Sequence, residues 1–163
     1  MKELTCGEVY RLEECLAELA EHHNEVSAAF RGCYPKKPVR ETLGLFGNDI
    51  RSGRSRIGVI DSEGRILGFC KISIDDKEGT IDYLIVLKEF RGKGYGDILL
   101  GWALDALGQS GVSRIEVRVV DGNDAIGFYE KYGFRICSHI LRADPEMTDR
   151  RDDKAQQILK GEK

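Results

Sequence analysis

The stretch "EFRGKGYGDILLGWAL" (residues 89–104) sets three glycines and two cations into the six residues 91–96, between a run with strand character and one with helical spacing. Upstream lies "TIDYLIVL" (80–87). Downstream, Ile98, Leu99, Trp102, Ala106 and Leu107 recur at helical intervals from Tyr95 to about Gln109, until "GQSG" ends the pattern. A helix opening on such a corner has first-turn N–H groups without intrahelical partners, and the positive end of its dipole lies there. Gly92, Gly94 and Gly96 carry no Cβ to keep an anion away from the backbone, and Arg91 and Lys93 add mobile positive charge. The corner is therefore predicted to hold a phosphate. A plain turn that needs flexible residues is the competing reading.

Two common phosphate motifs fail here. A Walker A loop would need glycine where Leu87 stands and Ser or Thr where Gly94 stands. A dinucleotide fingerprint counted from Gly92 meets Asp97 at its third glycine, and the segments upstream do not form a βαβ unit. Those segments are "RIGVI" (56–60), "ILGFCKISI" (66–74) and "TIDYLIVL", separated by the short polar links "DSEGR" and "DDKEG", which predict an antiparallel meander.

Before the meander, Thr5 and Glu8 have capping-box spacing, and Val9, Leu12, Leu16, Leu19, His23 and Val26 predict a helix over about 6–24. "RGCYPKKP" (31–38) interrupts with two prolines, and Val39, Leu43, Phe46 and Ile50 predict a second helix ending near "RSGR". After the glycine corner and its helix, "SRIEVRVV" (113–120) alternates as a strand. "DGNDAIGFYEKYGF" then reads as a short helix that Asp121 or Asn123 can cap and Gly133 can terminate, and "FRICSHILR" (134–142) as a last strand. The fold class expected is α/β (α+β): a mixed, mostly antiparallel central sheet flanked by helices, in the order ααβββαβαβ. Residues 1–144 are expected to form a single domain and 145–163 a charged tail, frayed helix or loose.

The 163 residues suffice for a core without staples, and the net charge of −3 argues against a general nucleic-acid binder, since the cations of "DRRDDK" are interleaved with acids. No apolar run approaches the roughly 20 residues of a membrane span, and the N-terminus lacks a secretory apolar core, so a cytoplasmic protein without membrane partners is expected. Five scattered cysteines without a CxxC pair suggest neither a disulfide framework nor zinc. His22 and His23, adjacent on a helix, diverge by about 100° and do not make an i, i+4 metal pair, so no metal is expected.

"RGKGYG" resembles the Q/R-x-x-G-x-G/A signature of the GNAT N-acetyltransferase superfamily, with Arg91, Gly94 and Gly96 at the defining positions. "IDYLIVLKEF" resembles that family's fourth strand, and "NDAIGFYEKYGF" resembles its downstream N-x-x-A-x-x-F-Y-x-x-x-G-F segment with one residue fewer between Asn123 and Ala125, so the likeness covers about residues 56–140. The resemblance implies acetyl-coenzyme A as co-substrate, its pyrophosphate on the backbone amides of Gly92, Lys93, Gly94, Tyr95 and Gly96, with Arg91 among the coenzyme-binding residues. It implies a fourth strand splayed from the fifth, with the pantetheine arm paired to the backbone of Ile85, Val86 and Leu87, and a coenzyme contact from Asn123.

The implied reaction moves an acetyl group to a primary amine of a small molecule or peptide by direct attack in a ternary complex. Tyr129 matches the tyrosine that the family uses to protonate the departing thiolate. A tyrosine's ordinary pKa of about 10 exceeds a thiol's of about 8.5, so the hydroxyl is present as an acid at neutral pH. Ala125, Phe128, Tyr129 and Tyr132 also share one helical face, so packing is an alternative role, and Tyr132 is the reserve acid. An oxyanion donor is expected from a backbone N–H near Val86 or Leu87, and Asp82 is the candidate base, ahead of Glu116. Phe30 and Tyr34 are read as acceptor wall or core, and Glu21, Glu25 and Asp82 as an acidic mouth favouring a cationic amine. A catalytically inactive coenzyme A-binding sensor or subunit of the same fold is the alternative function, and a homodimer is the oligomer the family suggests.

Overall fold

The computed structural model describes residues 1–28 and 31–141. The chain forms two compact units, Met1–Ile126 and Gly127–Lys163.

The first unit is built on a five-stranded sheet in the order β1 (Lys2–Glu3), β2 (Ser55–Ser62), β3 (Arg65–Asp75), β4 (Glu78–Val86) and β5 (Arg114–Val117). Neighbours are antiparallel except β4 and β5, which run parallel. Helices α1 (Glu13–Val26) and α2 (Val39–Arg51) precede the meander, and α3 (Tyr95–Gln109) connects β4 to β5. The second and third helices and the meander thus lie where their apolar spacing puts them.

The sheet is covered on both faces. Leu12, Cys15 and Leu16, with Leu43 and Phe46 of α2, bury one face against Ile57, Val59, Phe69, Ile85 and Leu87. On the other face α3 lies so close that a Cβ at Gly58 would stand 2.6 Å from the Trp102 ring, and one at Gly79 would stand 2.7 Å from Leu107. Glycine on β2 and β4 is what lets large α3 side chains reach the sheet.

Three elements differ from the sequence expectation. The first helix begins as a 3₁₀ turn (Val9–Leu12) and is α-helical only from Glu13. Its capping box is half formed: the Glu8 carboxylate reaches back to the Thr5 N–H at 3.0 Å, while the Thr5 hydroxyl donates to that same carboxylate and so caps nothing. β1 is too short for any period of two to reveal, and is held at the sheet edge by the Arg56–Glu3 ion pair at 2.5 Å. The strand expected over 134–142 is not formed among the described residues, which run to 141; Ile136, Ile140 and Leu141 are exposed there.

In the second unit, Tyr129 is buried between Phe128 and Phe134, with ring centroids 5.3 and 5.6 Å away, and Phe128 also packs on Tyr132. The short helix α4 (Ala125–Glu130) ends at Glu130, and the turn that follows it closes on Gly133, whose φ of +86° is the left-handed conformation expected of it. The tail 145–163 and Phe30 lie outside the described residues.

Candidate active site

β4 is nine residues long and β5 only four. Their ladder runs from Glu78↔Arg114 to Ile81↔Val117 and stops, while β4 continues to Val86 with β3 alone as its partner. Residues 118–120, expected as strand, have left the ladder. The two strands therefore stop pairing halfway along β4, which leaves a slot in the hydrogen-bond ladder: the edge of Asp82–Val86 away from β3 has no paired strand among the described residues.

Alternation decides which groups face that slot. Leu87 donates its N–H to the Leu67 carbonyl at 2.9 Å, so Leu87 faces β3, as does Ile85 two residues earlier. Val86 between them turns its N–H and C=O toward the slot, where the Arg91 Nε donates to its carbonyl at 2.9 Å. Of the three backbone positions 85–87, Val86 is thus the one presented.

Beyond Val86 a 3₁₀ turn (Lys88–Phe90) leads into the glycine corner. Gly92 and Gly94 have φ of +75° and +79°, which side-chain-bearing residues rarely adopt, and a Cβ on either would meet nothing within 4 Å. These two glycines shape the turn and leave open space beside it. Gly94 is the N-cap of α3 and has no side chain to cap it, so the first turn offers its backbone N–H groups as read from the sequence, with Asp97 the acidic residue in that turn. Gly96 lies inside α3. Lys93 sits over the Phe90 ring, 4.9 Å from its centroid.

Asp82 occupies a β-bulge. Lys71 pairs with Tyr83 and Ile72 with Ile81, which makes Asp82 the extra residue on β4 and turns its carboxylate toward Lys71. The Lys71 Nζ stands 2.6 Å from Asp82, 3.5 Å from Asp49 on α2 and 3.0 Å from the Ser73 hydroxyl, which also bonds Asp82. Only 5% of the Lys71 side chain is exposed. Asp82 is therefore charge-compensated and drops out of the acidic mouth, leaving Glu21 and Glu25 exposed on α1. Glu116 is exposed in β5, opposite Thr80.

Asn123 accepts the Ala125 N–H at 2.9 Å through its side chain, a capping bond at the entry to α4. Its loop is set against α1 by Gly122, where a Cβ would lie 2.3 Å from the Val26 carbonyl. Tyr34 packs edge-on to His23 at 5.0 Å, and Asn24 clamps its backbone, accepting the Gly32 and Tyr34 N–H groups and donating to the Tyr34 carbonyl at 2.8 Å. All five cysteines are free. Burial pushes the thiols of Cys15 and Cys70 up to about 12, which keeps them protonated and poor nucleophiles. Among the described residues no group of three or more His, Cys, Asp or Glu side chains could hold a metal ion, and no helix is long and apolar enough to cross a membrane.

Sequence reasoning missed Glu18. From α1 it accepts the Lys88 N–H at 2.6 Å and stands 3.5 Å from Arg91 Nη2. Nothing in a helix-surface glutamate signals a partner 70 residues away.

A mixed sheet whose β4–β5 ladder stops short beside a glycine-lined helix start places the chain among α/β proteins with an unpaired strand edge next to a helix N-terminus. Residues 19–134 match the acetyltransferase (GNAT) family model, and the chain belongs to that family. It is 35% identical over 72 residues to the [ribosomal protein bS18]-alanine N-acetyltransferase of Haemophilus influenzae, a match covering 43% of this chain and 48% of that protein. The chain spans about half the length of the curated relatives it matches. Among solved structures, a predicted acetyltransferase with acetyl-CoA from Clostridium acetobutylicum superposes with a TM-score of 0.70 at 15% identity, over 88% of this chain and 94% of the other. Glucosamine-6-phosphate N-acetyltransferase from Arabidopsis thaliana gives 0.64 at 21% identity, over 88% and 96%. At these identities the likeness is one of fold.

Proposed function

We propose that this protein is an acetyl-coenzyme A-dependent N-acetyltransferase acting on the primary amine of a small molecule or peptide. The observation that carries the reading is the slot beside β4, which runs past the end of its ladder with β5 and leads to the uncapped start of α3. A pantetheine arm adds to the exposed edge as a short strand, and the pyrophosphate rests on the backbone of residues 92–96 with Lys93 nearby. The family membership supports this, as do the acetyl-CoA of the Clostridium structure and the amine-acetylating relatives.

The amine nitrogen attacks the thioester carbon, the C–S bond breaks, and the nitrogen gives up a proton while the thiolate takes one. The Val86 N–H is the oxyanion donor, since that of Leu87 is engaged by Leu67. Tyr129 is the acid that protonates the thiolate, and Asn123 contacts the coenzyme. Asp82, oriented by Lys71 and Ser73, is the base, receiving the amine's proton directly or through water against the pull of its ion pair with Lys71. Cys15 and Cys70, buried and protonated, are poor candidates to carry the acetyl group. We place the protein in the cytoplasm, where its free cysteines stay reduced.

The test is release of coenzyme A thiol from acetyl-coenzyme A against a mixed panel of amines. Release with at least one amine, and a kcat lowered about 100-fold by Tyr129→Phe, is the expected outcome. Coenzyme binding without release from any amine would favour the inactive sensor, and no binding would overturn both readings.

A further inference from the structure

We propose that Glu18 of α1 is a positioning residue for the phosphate loop, and that Arg91 works as its partner in a brace rather than as a phosphate ligand. The inference rests on the acetyltransferase reading above.

Arg91 is an exposed residue directly before the glycines, where a mobile cation would be free to meet an anion, yet its guanidinium is turned backward. The Nε donates to the Val86 carbonyl at 2.9 Å and Nη2 stands 3.5 Å from the Glu18 carboxylate. The same Glu18 oxygen accepts the Lys88 N–H at 2.6 Å, a charge-assisted bond to the first residue of the 3₁₀ turn. One carboxylate thus fixes the turn's entrance, and through Arg91 its exit and the slot-facing carbonyl of β4.

A second attachment lies one turn earlier on α1. Glu14 bonds Arg65 at 2.6 Å, and Arg65 bonds Glu89 at 2.7 Å and lies over the Phe90 ring at 5.5 Å. Glu14 and Glu18, at i and i+4, face the same way, so α1 holds residues 88–91 at two points. A turn attached in this way presents the 92–96 backbone in one geometry before any ligand arrives, which removes an ordering cost from binding.

The sign of the effect separates this role from plain electrostatics. Removing an anion near a phosphate site should tighten binding of an anionic ligand, whereas loss of the brace should weaken it. Coenzyme A is titrated calorimetrically into the wild-type chain, Glu18→Ala and Glu18→Gln. Glu18→Ala is expected to raise Kd about 10-fold, the scale of one lost charge-assisted hydrogen bond. Its kcat at saturating acetyl-coenzyme A stays within about twofold of wild type, since chemistry follows once the loop is filled. Glu18→Gln keeps an acceptor for Lys88 and is expected to restore Kd to within about twofold. An alanine variant that binds as tightly as wild type, or more tightly, overturns the proposal. Hydrogen exchange of the coenzyme-free wild-type chain needs no variant: the Lys88 amide is expected to be protected although the residue is exposed, and free exchange there also overturns the brace. Failure of the acetyltransferase reading shows separately, as a wild-type chain that binds no coenzyme A.

Discussion

Lys71 carries a positive charge into a nearly closed site and finds Asp49, Asp82, Ser73 and the Phe46 ring around it. Every polar group there is partnered at the cost of desolvating the charge, so removing one partner is worse than never having had the pair. Lys71→Met is expected to cost about 2 kcal/mol, below the usual range for a broken buried pair because both carboxylates keep some access to water. Adding Asp82→Asn should recover part of that loss. Urea unfolding of the single and double variants checks both statements, and a single variant with the wild-type midpoint would mean that the pair contributes nothing. The bulge that aims Asp82 at Lys71 was not legible in the sequence. Asp82 was visible as a carboxylate in the correct strand, but its partner depends on one residue of register between β3 and β4.

Glycine governs how closely the elements approach, and the cost of replacing it depends on what stands opposite. A Cβ at Gly68 would stand 2.6 Å from the Ile85 carbonyl oxygen and 3.1 Å from the Val86 Cα, both backbone atoms of β4. At Gly79 the obstacle is the tip of the Leu107 side chain, which can rotate aside. Gly68→Ala is therefore expected to destabilise by about 2 kcal/mol and to weaken coenzyme binding by displacing Val86, with Gly79→Ala costing less than about 1 kcal/mol. Thermal melts with and without coenzyme A separate the two, and equal losses would mean that β4 is freer to move than its packing indicates. At this scale the sequence was informative wherever a period was long enough to read. Val39–Arg51, Tyr95–Gln109 and the three-strand meander were all found by spacing, as was the glycine corner. Two-residue β1, the 3₁₀ start before α1 and the strand expected from Phe134, which is not formed among the described residues, are settled by neighbours distant in sequence.

For the molecule as a whole, acid unfolding should come in two stages. Burial, with the charges of His22 and Lys36, holds His23 down to about 4, below the ordinary histidine value near 6.5. The folded state therefore excludes a proton that the unfolded state binds, and stability falls as pH drops from about 6.5 toward 4, with no further loss from this group below that. Glu3, Glu14 and Asp61 are lowered chiefly by their arginine partners, so their contribution is present above the ordinary carboxylate values and is lost only at lower pH. A melting temperature that declines between pH 7 and 5 in wild type and is flatter in His23→Gln is the expected result; parallel curves would remove His23 as the cause. The stretch of β4 left unpaired by β5 has a consequence beyond catalysis. A sheet left unfinished along half a strand offers its hydrogen bonds to any extended polypeptide that reaches it, and the Arg91 side chain over the Val86 carbonyl covers only part of that edge. On the proposed reading, coenzyme A seated in that gap would also deny the edge to the exposed strands of other chains, so the loaded protein would be less prone to self-adhesion than the empty one.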